Sequence, residues 1–181
     1  MLQPFVYADP EKCIGCRGCE AACSAVHSKY EGKTFGCKEE DIMPRLFLIR
    51  AGGRSVPVQC HHCEAAPCKA VCASGAIYTE KNSVQIDERK CSGCKNCVLA
   101  CPFGVIDILK DHAVAGKCDL CASREAGPAC VEVCPEKALQ WIEPMAFIRQ
   151  KRFAAAEKSK NLCVDFPAAR AKTYNETEKG L

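Results

Sequence analysis

The residues with the most chemical potential are the cysteines, eighteen in a chain of 181. Sixteen of them fall into four quartets. Cys13, Cys16, Cys19 and Cys23 are spaced C-x2-C-x2-C-x3-C, and Cys60, Cys63, Cys68 and Cys72 are spaced C-x2-C-x4-C-x3-C. Cys91, Cys94, Cys97 and Cys101 repeat the first pattern and end in proline; Cys118, Cys121, Cys130 and Cys134 follow C-x2-C-x8-C-x3-C-P. Three thiolates two residues apart can be carried by one tight loop to three corners of a 4Fe-4S cube, with the loop N–H groups facing the sulfurs. The fourth ligand must then come from elsewhere.

Where the C-x2-C-x2-C-x3-C-P pattern holds two clusters, its last cysteine serves the neighbouring one, so such quartets work in pairs. The competing metal is zinc, whose all-thiolate sites are assembled from separated C-x2-C pairs. Three ligands within seven residues suit zinc poorly. The second and fourth quartets alone would suit it better, yet they keep the x3 step to a final cysteine that the other two share. Disulfides need an oxidising compartment and therefore an export signal. Met1 to Lys12 hold no basic cluster followed by an apolar stretch, and no uncharged apolar run approaches the roughly 20 residues of a membrane span. The expectation is a cytoplasmic, reduced protein without a membrane span, in which cysteine binds metal.

Composition agrees that something besides side-chain packing fixes the fold. Leu, Ile, Val and Phe number 37, close to the level of roughly 20% below which chains tend toward disorder. The formal charge of +3 treats every thiol as neutral. Sixteen thiolates and four oxidised cores, contributing −16 and +8, would move it to −5. The apparent basicity then gives no footing for nucleic-acid binding.

The elements that must position these ligands are short. In every quartet the third and fourth cysteines are four residues apart, on one side of a single helical turn. Three quartets are followed by small or breaking residues and an apolar pair: Ala76-Ile77, Val105-Ile106 and Ala138-Leu139. Phe5 to Ala8 and Leu139 to Ile142 are strand candidates that could pair the two ends of the cysteine region. Leu46 to Arg50 and Ser55 to Val58 flank the turn Gly52-Gly53. Ile77 to Glu80 with Val84 to Asp87, and Val105 to Leu109 with Ala113 to Ala115, give two further hairpins. From Pro144 onward the chain reads as a basic tail, with a helix over Met145 to Lys160 and a polar end.

The remaining reactive residues read plainly. Cys37 and Cys163 have no quartet and are expected to be free thiols. His61 and His62 lie inside a quartet complete without them, which favours hydrogen bonding around the site or exposure over iron ligation. His27 and His112 carry no partner pattern, and Gly32-Lys33-Thr34 lacks the upstream glycine of a phosphate loop. No G-x-G-x-x-G occurs, so neither flavin nor nicotinamide is expected. Arg149, Lys151 and Arg152 read as a solvated helix face.

The runs Cys13-Ile14-Gly15-Cys16-Arg17-Gly18-Cys19, Cys60-His61-His62-Cys63-Glu64-Ala65-Ala66-Pro67-Cys68 and Lys117-Cys118-Asp119-Leu120-Cys121, with Gly127-Pro128-Ala129-Cys130 and Cys134-Pro135, resemble a known family. It is that of the four-cluster electron-transfer subunits of formate dehydrogenases, formate hydrogenlyase and related complexes. The resemblance covers residues 1 to about 143. Similar subunits serve carbon monoxide dehydrogenase, hydrogenases, dimethyl sulfoxide reductase and tungsten aldehyde oxidoreductases. It implies that the first quartet pairs with the fourth and the second with the third; spacing alone does not choose this over pairing the first with the second. Carried over by residue, one cluster takes Cys13, Cys16, Cys19 and Cys134, and its neighbour Cys118, Cys121, Cys130 and Cys23. The inner pair takes Cys60, Cys63, Cys68 and Cys101, then Cys91, Cys94, Cys97 and Cys72. Ser24 and Ala73 stand after Cys23 and Cys72 where proline is frequent in the family, which weakens the helix stop without removing a ligand.

The fold expected is α+β: two nested dicluster modules of bacterial-ferredoxin type, built of short hairpins and helices, with a helical or extended tail. The outer module spans 1–28 with 112–143, a connecting hairpin segment 29–59, the inner module 60–111 and the tail 144–181. The function expected is a non-catalytic subunit of anaerobic metabolism that relays single electrons through four 4Fe-4S clusters. Its catalytic partner is a molybdenum or tungsten enzyme such as formate dehydrogenase or aldehyde oxidoreductase, or a hydrogenase or carbon monoxide dehydrogenase. A free polyferredoxin carrier and an assembly factor are the rival readings. The tail either covers the chain's own modules or docks to a neighbouring subunit, the catalytic chain or another copy.

Overall fold

The computed structural model describes residues 4–27, 43–80, 83–109 and 113–160. The expectations for Cys37, Cys163, Gly32 to Thr34, His112 and the tail beyond Lys160 lie outside the described residues. In chain order the elements are β1 (Phe5–Ala8), α1 (Gly18–His27), β2 (Phe47–Ala51), β3 (Arg54–Val58), α2 (Pro67–Ala70), β4 (Ile77–Glu80), β5 (Ser83–Ile86), α3 (Asn96–Ala100), β6 (Asp107–Leu109), β7 (Val114–Gly116), α4 (Ala129–Glu132), β8 (Leu139–Ile142) and α5 (Pro144–Lys160), with a 3-10 turn at Glu88–Lys90. The chain divides into two compact units, Met1–Met145 and Ala146–Leu181.

In the first unit the strands form two-stranded antiparallel sheets, β1 with β8, β2 with β3, β4 with β5 and β6 with β7. The β1–β8 ribbon runs in register from Phe5 opposite Ile142 to Ala8 opposite Leu139, so the two ends of the cysteine region meet as expected. Gly52 and Gly53 both hold positive φ, +58° and +77°, the backbone that a tight two-residue hairpin turn requires and only glycine adopts freely. The last hairpin is shorter at its start than the apolar run suggests, because Val105 and Ile106 enter the core before pairing begins at Asp107.

The apolar pair after each of three quartets is the local reason the turns fold inward. Ala76 and Ile77, Val105 and Ile106, and Ala138 and Leu139 are all buried. Buried side chains gather in two clusters. One contains Val6, Cys19, Cys23, Leu46, Leu120, Cys130 and Leu139; the other contains Ala66, Cys68, Ile77, Val84, Cys97, Ile106 and Ala115. Leu139, Val84 and Val105 are the largest apolar side chains fully sealed from solvent among the described residues. Burying each of these three is worth about 1.5–3 kcal/mol. Cysteines occupy much of the remaining interior.

Within α5, proline opens the helix, where its missing N–H costs nothing. Arg149, Lys151 and Arg152 are exposed, as expected of a solvated face, and so are Met145 and Phe153. The Lys151 ammonium lies 5.2 Å from the Phe147 ring centroid. No helix among the described residues is long and apolar enough to cross a membrane.

Candidate metal centres

Each quartet begins in a loop and runs into one short helix. Cys19 and Cys23 both lie in α1, whereas Cys68, Cys97 and Cys130 lie in α2, α3 and α4, and Cys72, Cys101 and Cys134 stand just beyond the ends of those helices. Cys101 leaves α3 in extended backbone, φ −76° and ψ 114°, which lets the fourth cysteine part from its own loop. The loops curl tightly: Gly15, Arg17, Gly93, Lys95, Leu120 and Cys121 all hold positive φ. At Gly93 a side chain is excluded, because a Cβ would lie 2.4 Å from the Ala113 carbonyl oxygen.

The cysteines that meet are not those of one quartet. One cavity is lined by Cys13, Cys16 and Cys19 together with Cys134, and by Leu48 and Leu139. A second is lined by Cys91, Cys94 and Cys97 together with Cys72. Cys101 is close enough to Cys60 and Cys68 for its charge to act on both thiols. Cys23 acts in the same way on Cys118, Cys121 and Cys130. Cys16 and Cys94 are exposed, and Cys19, Cys23, Cys60, Cys68, Cys97, Cys121 and Cys130 are buried.

Burial is the largest influence on the interior thiols and pushes them up, to about 11 for Cys19 and about 12 for Cys130. Cys60, Cys68, Cys97, Cys118 and Cys121 move the same way for the same reason. Metal binding at such sulfurs therefore releases protons. Backbone N–H groups already address sulfurs among the described residues, including Arg45 N to Cys23 at 3.2 Å, His62 N to Cys60 at 3.4 Å, Ala115 N to Cys91 at 3.4 Å, Leu120 N to Cys118 at 3.4 Å and Ala138 N to Cys134 at 3.2 Å. The two all-sulfur sets of four that line cavities, with N–H donors at Cys134 and Cys91, fit iron-sulfur clusters.

Several residues around the sulfurs were not legible as partners. His27, one helical turn after Cys23, places Nδ1 2.8 Å from the Cys23 carbonyl oxygen and Nε2 2.9 Å from Asp119 Oδ1. Burial acts against the charged ring, but hydrogen bonds to Asp119 and Cys23 outweigh it and carry His27 up to about 9. Asp119 is brought down to about 2: burial opposes this, and His27 and Arg45 overcome it. Arg45 Nη1 lies 3.2 Å from Asp119 Oδ2, so α1, the segment before β2 and the loop after Cys118 share one polar network. The i,i+4 step from Cys23 to His27 was the available signal. His62 is 1% exposed and accepts a hydrogen bond from Val84 N at 3.1 Å through Nδ1, while burial pulls its ring down to about 3. His61 stacks on Phe103 with ring centroids 4.1 Å apart.

Comparison with known proteins places these residues in a family. Residues 53–143 match the 4Fe-4S dicluster domain. The chain is 43% identical over 144 residues to "Putative electron transport protein YsaA" of Escherichia coli (strain K12), covering 78% of this chain and 91% of that one. To "Formate hydrogenlyase subunit 2" of the same organism it is 38% identical over 176 residues, 78% of this chain and 83% of that protein. To "Putative oxidoreductase UacF", also of Escherichia coli (strain K12), it is 39% identical over 164 residues, 87% of this chain but 25% of UacF; it thus spans about a quarter of that longer relative. With the quartets, the cavities and these relatives together, the chain belongs to the 4Fe-4S dicluster family of iron-sulfur proteins.

Proposed function

We propose that the chain is the electron-transfer subunit of a multisubunit oxidoreductase, with four 4Fe-4S clusters in a row between a catalytic subunit and a second redox partner. The observation that carries this reading is the crossed lining of the two cavities, three cysteines from one quartet and the last cysteine of another in each. Cys13, Cys16, Cys19 and Cys134 hold one cluster, and Cys118, Cys121, Cys130 and Cys23 its neighbour. Cys60, Cys63, Cys68 and Cys101 hold the third, and Cys91, Cys94, Cys97 and Cys72 the fourth. Each cluster, when bound, supplies a site that takes up and passes on one electron.

The order follows from which residues join the sets. Cys19 and Cys23 share α1 and join the first two; Cys97 and Cys101 span α3 and join the last two. Cys60 and Cys118 are close enough to influence each other's charge, which joins the halves. Cys16 and Cys94, the exposed cysteines among the described residues, then belong to the two ends of the row, where electrons enter and leave. The outer module is assigned to 1–28 with 112–143 and the inner module to 60–111, linked by 29–59; the two apolar clusters follow this division except that Leu46 joins the outer cluster and Ala115, in the strand paired with β6, joins the inner one.

No substrate chemistry is assigned to the chain itself. The partner is a molybdenum or tungsten enzyme of the formate dehydrogenase or aldehyde oxidoreductase kind, a hydrogenase or a carbon monoxide dehydrogenase, in the cytoplasm. The name of formate hydrogenlyase subunit 2 supports a catalytic partner, as does UacF, in which a stretch like this chain is part of a longer protein named an oxidoreductase. The tail 144–181 is the docking segment, toward that partner or another copy. Anaerobically prepared protein should carry sixteen iron and sixteen acid-labile sulfide per chain, and mass measurement of the intact assembly should find a large catalytic chain with it. Stoichiometric zinc, or iron near twelve after full reconstitution, refutes the four-cluster reading. A chain that always purifies alone with its clusters intact is a carrier or an assembly factor instead.

A further inference from the structure

Lys117 is 3% exposed, the most deeply buried charged side chain among the described residues. Its ammonium has three donors and finds three acceptors: the Val84 carbonyl oxygen, the Cys118 carbonyl oxygen at 2.7 Å and Cys60 Sγ at 3.7 Å. Val84 is in β5, Cys60 opens the second quartet and Cys118 the fourth, so one side chain ties together the two cysteine groups. Two carbonyls solvate an ammonium but do not neutralise it. Burial of a lone charge costs several kcal/mol, and the partner within reach that becomes negative when it ligates a cluster is the Cys60 sulfur. The field of the ammonium extends further: it is the largest influence opposing burial at both Cys60 and Cys68. Although Lys117 adjoins Cys118 in sequence, its charge is thus directed at the second quartet.

We propose that Lys117 is a tuning residue for electron transfer: its ammonium, held between the two cysteine groups against Cys60, raises the reduction potential of the cluster held by Cys60, Cys63, Cys68 and Cys101 above that of an otherwise identical site. A fixed positive charge beside a sulfur ligand favours the form carrying the additional electron. Because Cys60 and Cys118 also interact, this bias falls where the two halves of the row meet. The bias favours the electron on that inner cluster, beside the junction, over the ends of the row.

The inference rests on the four-cluster reading, which the unmodified holoprotein tests separately by its sixteen irons. Given those, K117Q keeps a donor for the carbonyls and removes the charge. Potentiometric titration followed by electron paramagnetic resonance should show one of four clusters shifted to lower potential by at least about 59 mV, a tenfold change in a one-electron equilibrium, with the others little moved. K117R, which restores the charge, should recover most of the shift. Sixteen irons with all four potentials unchanged, or all four shifted equally, overturns the proposal. Should K117Q fail to hold its clusters, the unmodified protein decides. In holoprotein labelled with [ε-15N]lysine, pulsed resonance of the partly reduced sample should show a nitrogen coupling from Lys117 in one cluster's spectrum, and its absence overturns the assignment.

Discussion

His27 and Asp119 are 92 residues apart in sequence and meet with 2.9 Å between Nε2 and Oδ1. The contact locks the end of α1, which carries Cys19 and Cys23, to the loop that carries Cys118 and Cys121. Asp119 Oδ1 also accepts from Cys121 N at 2.9 Å, and its other oxygen holds Arg45. One carboxylate therefore sets the distance between cysteines assigned to a single cluster.

Removing that carboxylate should cost stability in the loaded protein. Asp119→Ala leaves His27 Nε2 and the Cys121 N–H without their acceptor and Arg45 with Glu88 alone at 3.7 Å, a loss of about 2 kcal/mol. For a chain of this size that lowers the anaerobic melting midpoint by about 4–8 °C. Calorimetry of holoprotein checks it, and an unchanged midpoint would mean that the clusters alone hold the loop.

Gly93 and Gly75 make a matched pair. Both hold positive φ, +67° and +66°, but a Cβ at Gly93 would strike the Ala113 carbonyl while one at Gly75 meets nothing within 4 Å. Gly75→Ala should bear only the backbone strain of about 1–2 kcal/mol and keep sixteen irons. Gly93→Ala must in addition push Ala113 away from the loop of Cys91 and Cys94, and should lose about four irons. Iron analysis compares them directly, and equal iron in the two variants would contradict the steric account.

The crossed ligand sets give a pairwise test. If Cys23 and Cys118 serve one cluster, replacing both with alanine should cost no more iron than replacing either, leaving about twelve. If Cys23 and Cys13 serve different clusters, that double replacement should leave about eight. The reverse pattern, eight for Cys23 with Cys118 and twelve for Cys23 with Cys13, would assign Cys23 to its own quartet.

What could be read from the sequence divides along contact distance. The quartets, the turn at Gly52-Gly53 and the buried pairs such as Ala138-Leu139 are local patterns, and local backbone geometry decides them. The β1–β8 pairing was also legible, because two apolar strands bracket the cysteine region and have each other to pair with. The network of His27, Arg45 and Asp119 and the seat of Lys117 were not. His27 reaches across 92 residues and Lys117 across 57 to Cys60, and at those separations spacing carries no information. A lysine beside a cysteine looks like any surface charge until β5 is folded over it. His62 lay between, readable as a residue near the site but not as the buried acceptor of the Val84 N–H.

The tail separates two kinds of work, holding clusters and holding partners. Every quartet ends before Pro144, and α5 contributes no cysteine. Its Met145 and Phe153 side chains are 69% and 68% exposed, on a helix that also presents Arg149, Lys151 and Arg152. Covering two such side chains on a partner is worth about 1.5–3 kcal/mol each, enough to decide whether an assembly survives dilution. Truncation after Pro144 should therefore keep all sixteen irons and the cluster spectra while lowering the mass of the assembly seen by light scattering. The double substitution Met145→Ser with Phe153→Ser, which leaves the helix its length and charge, should weaken the same association in part. If both altered proteins assemble as the full chain does, the docking role is wrong. If truncation also strips iron, the tail protects the clusters and its part in the fold is internal.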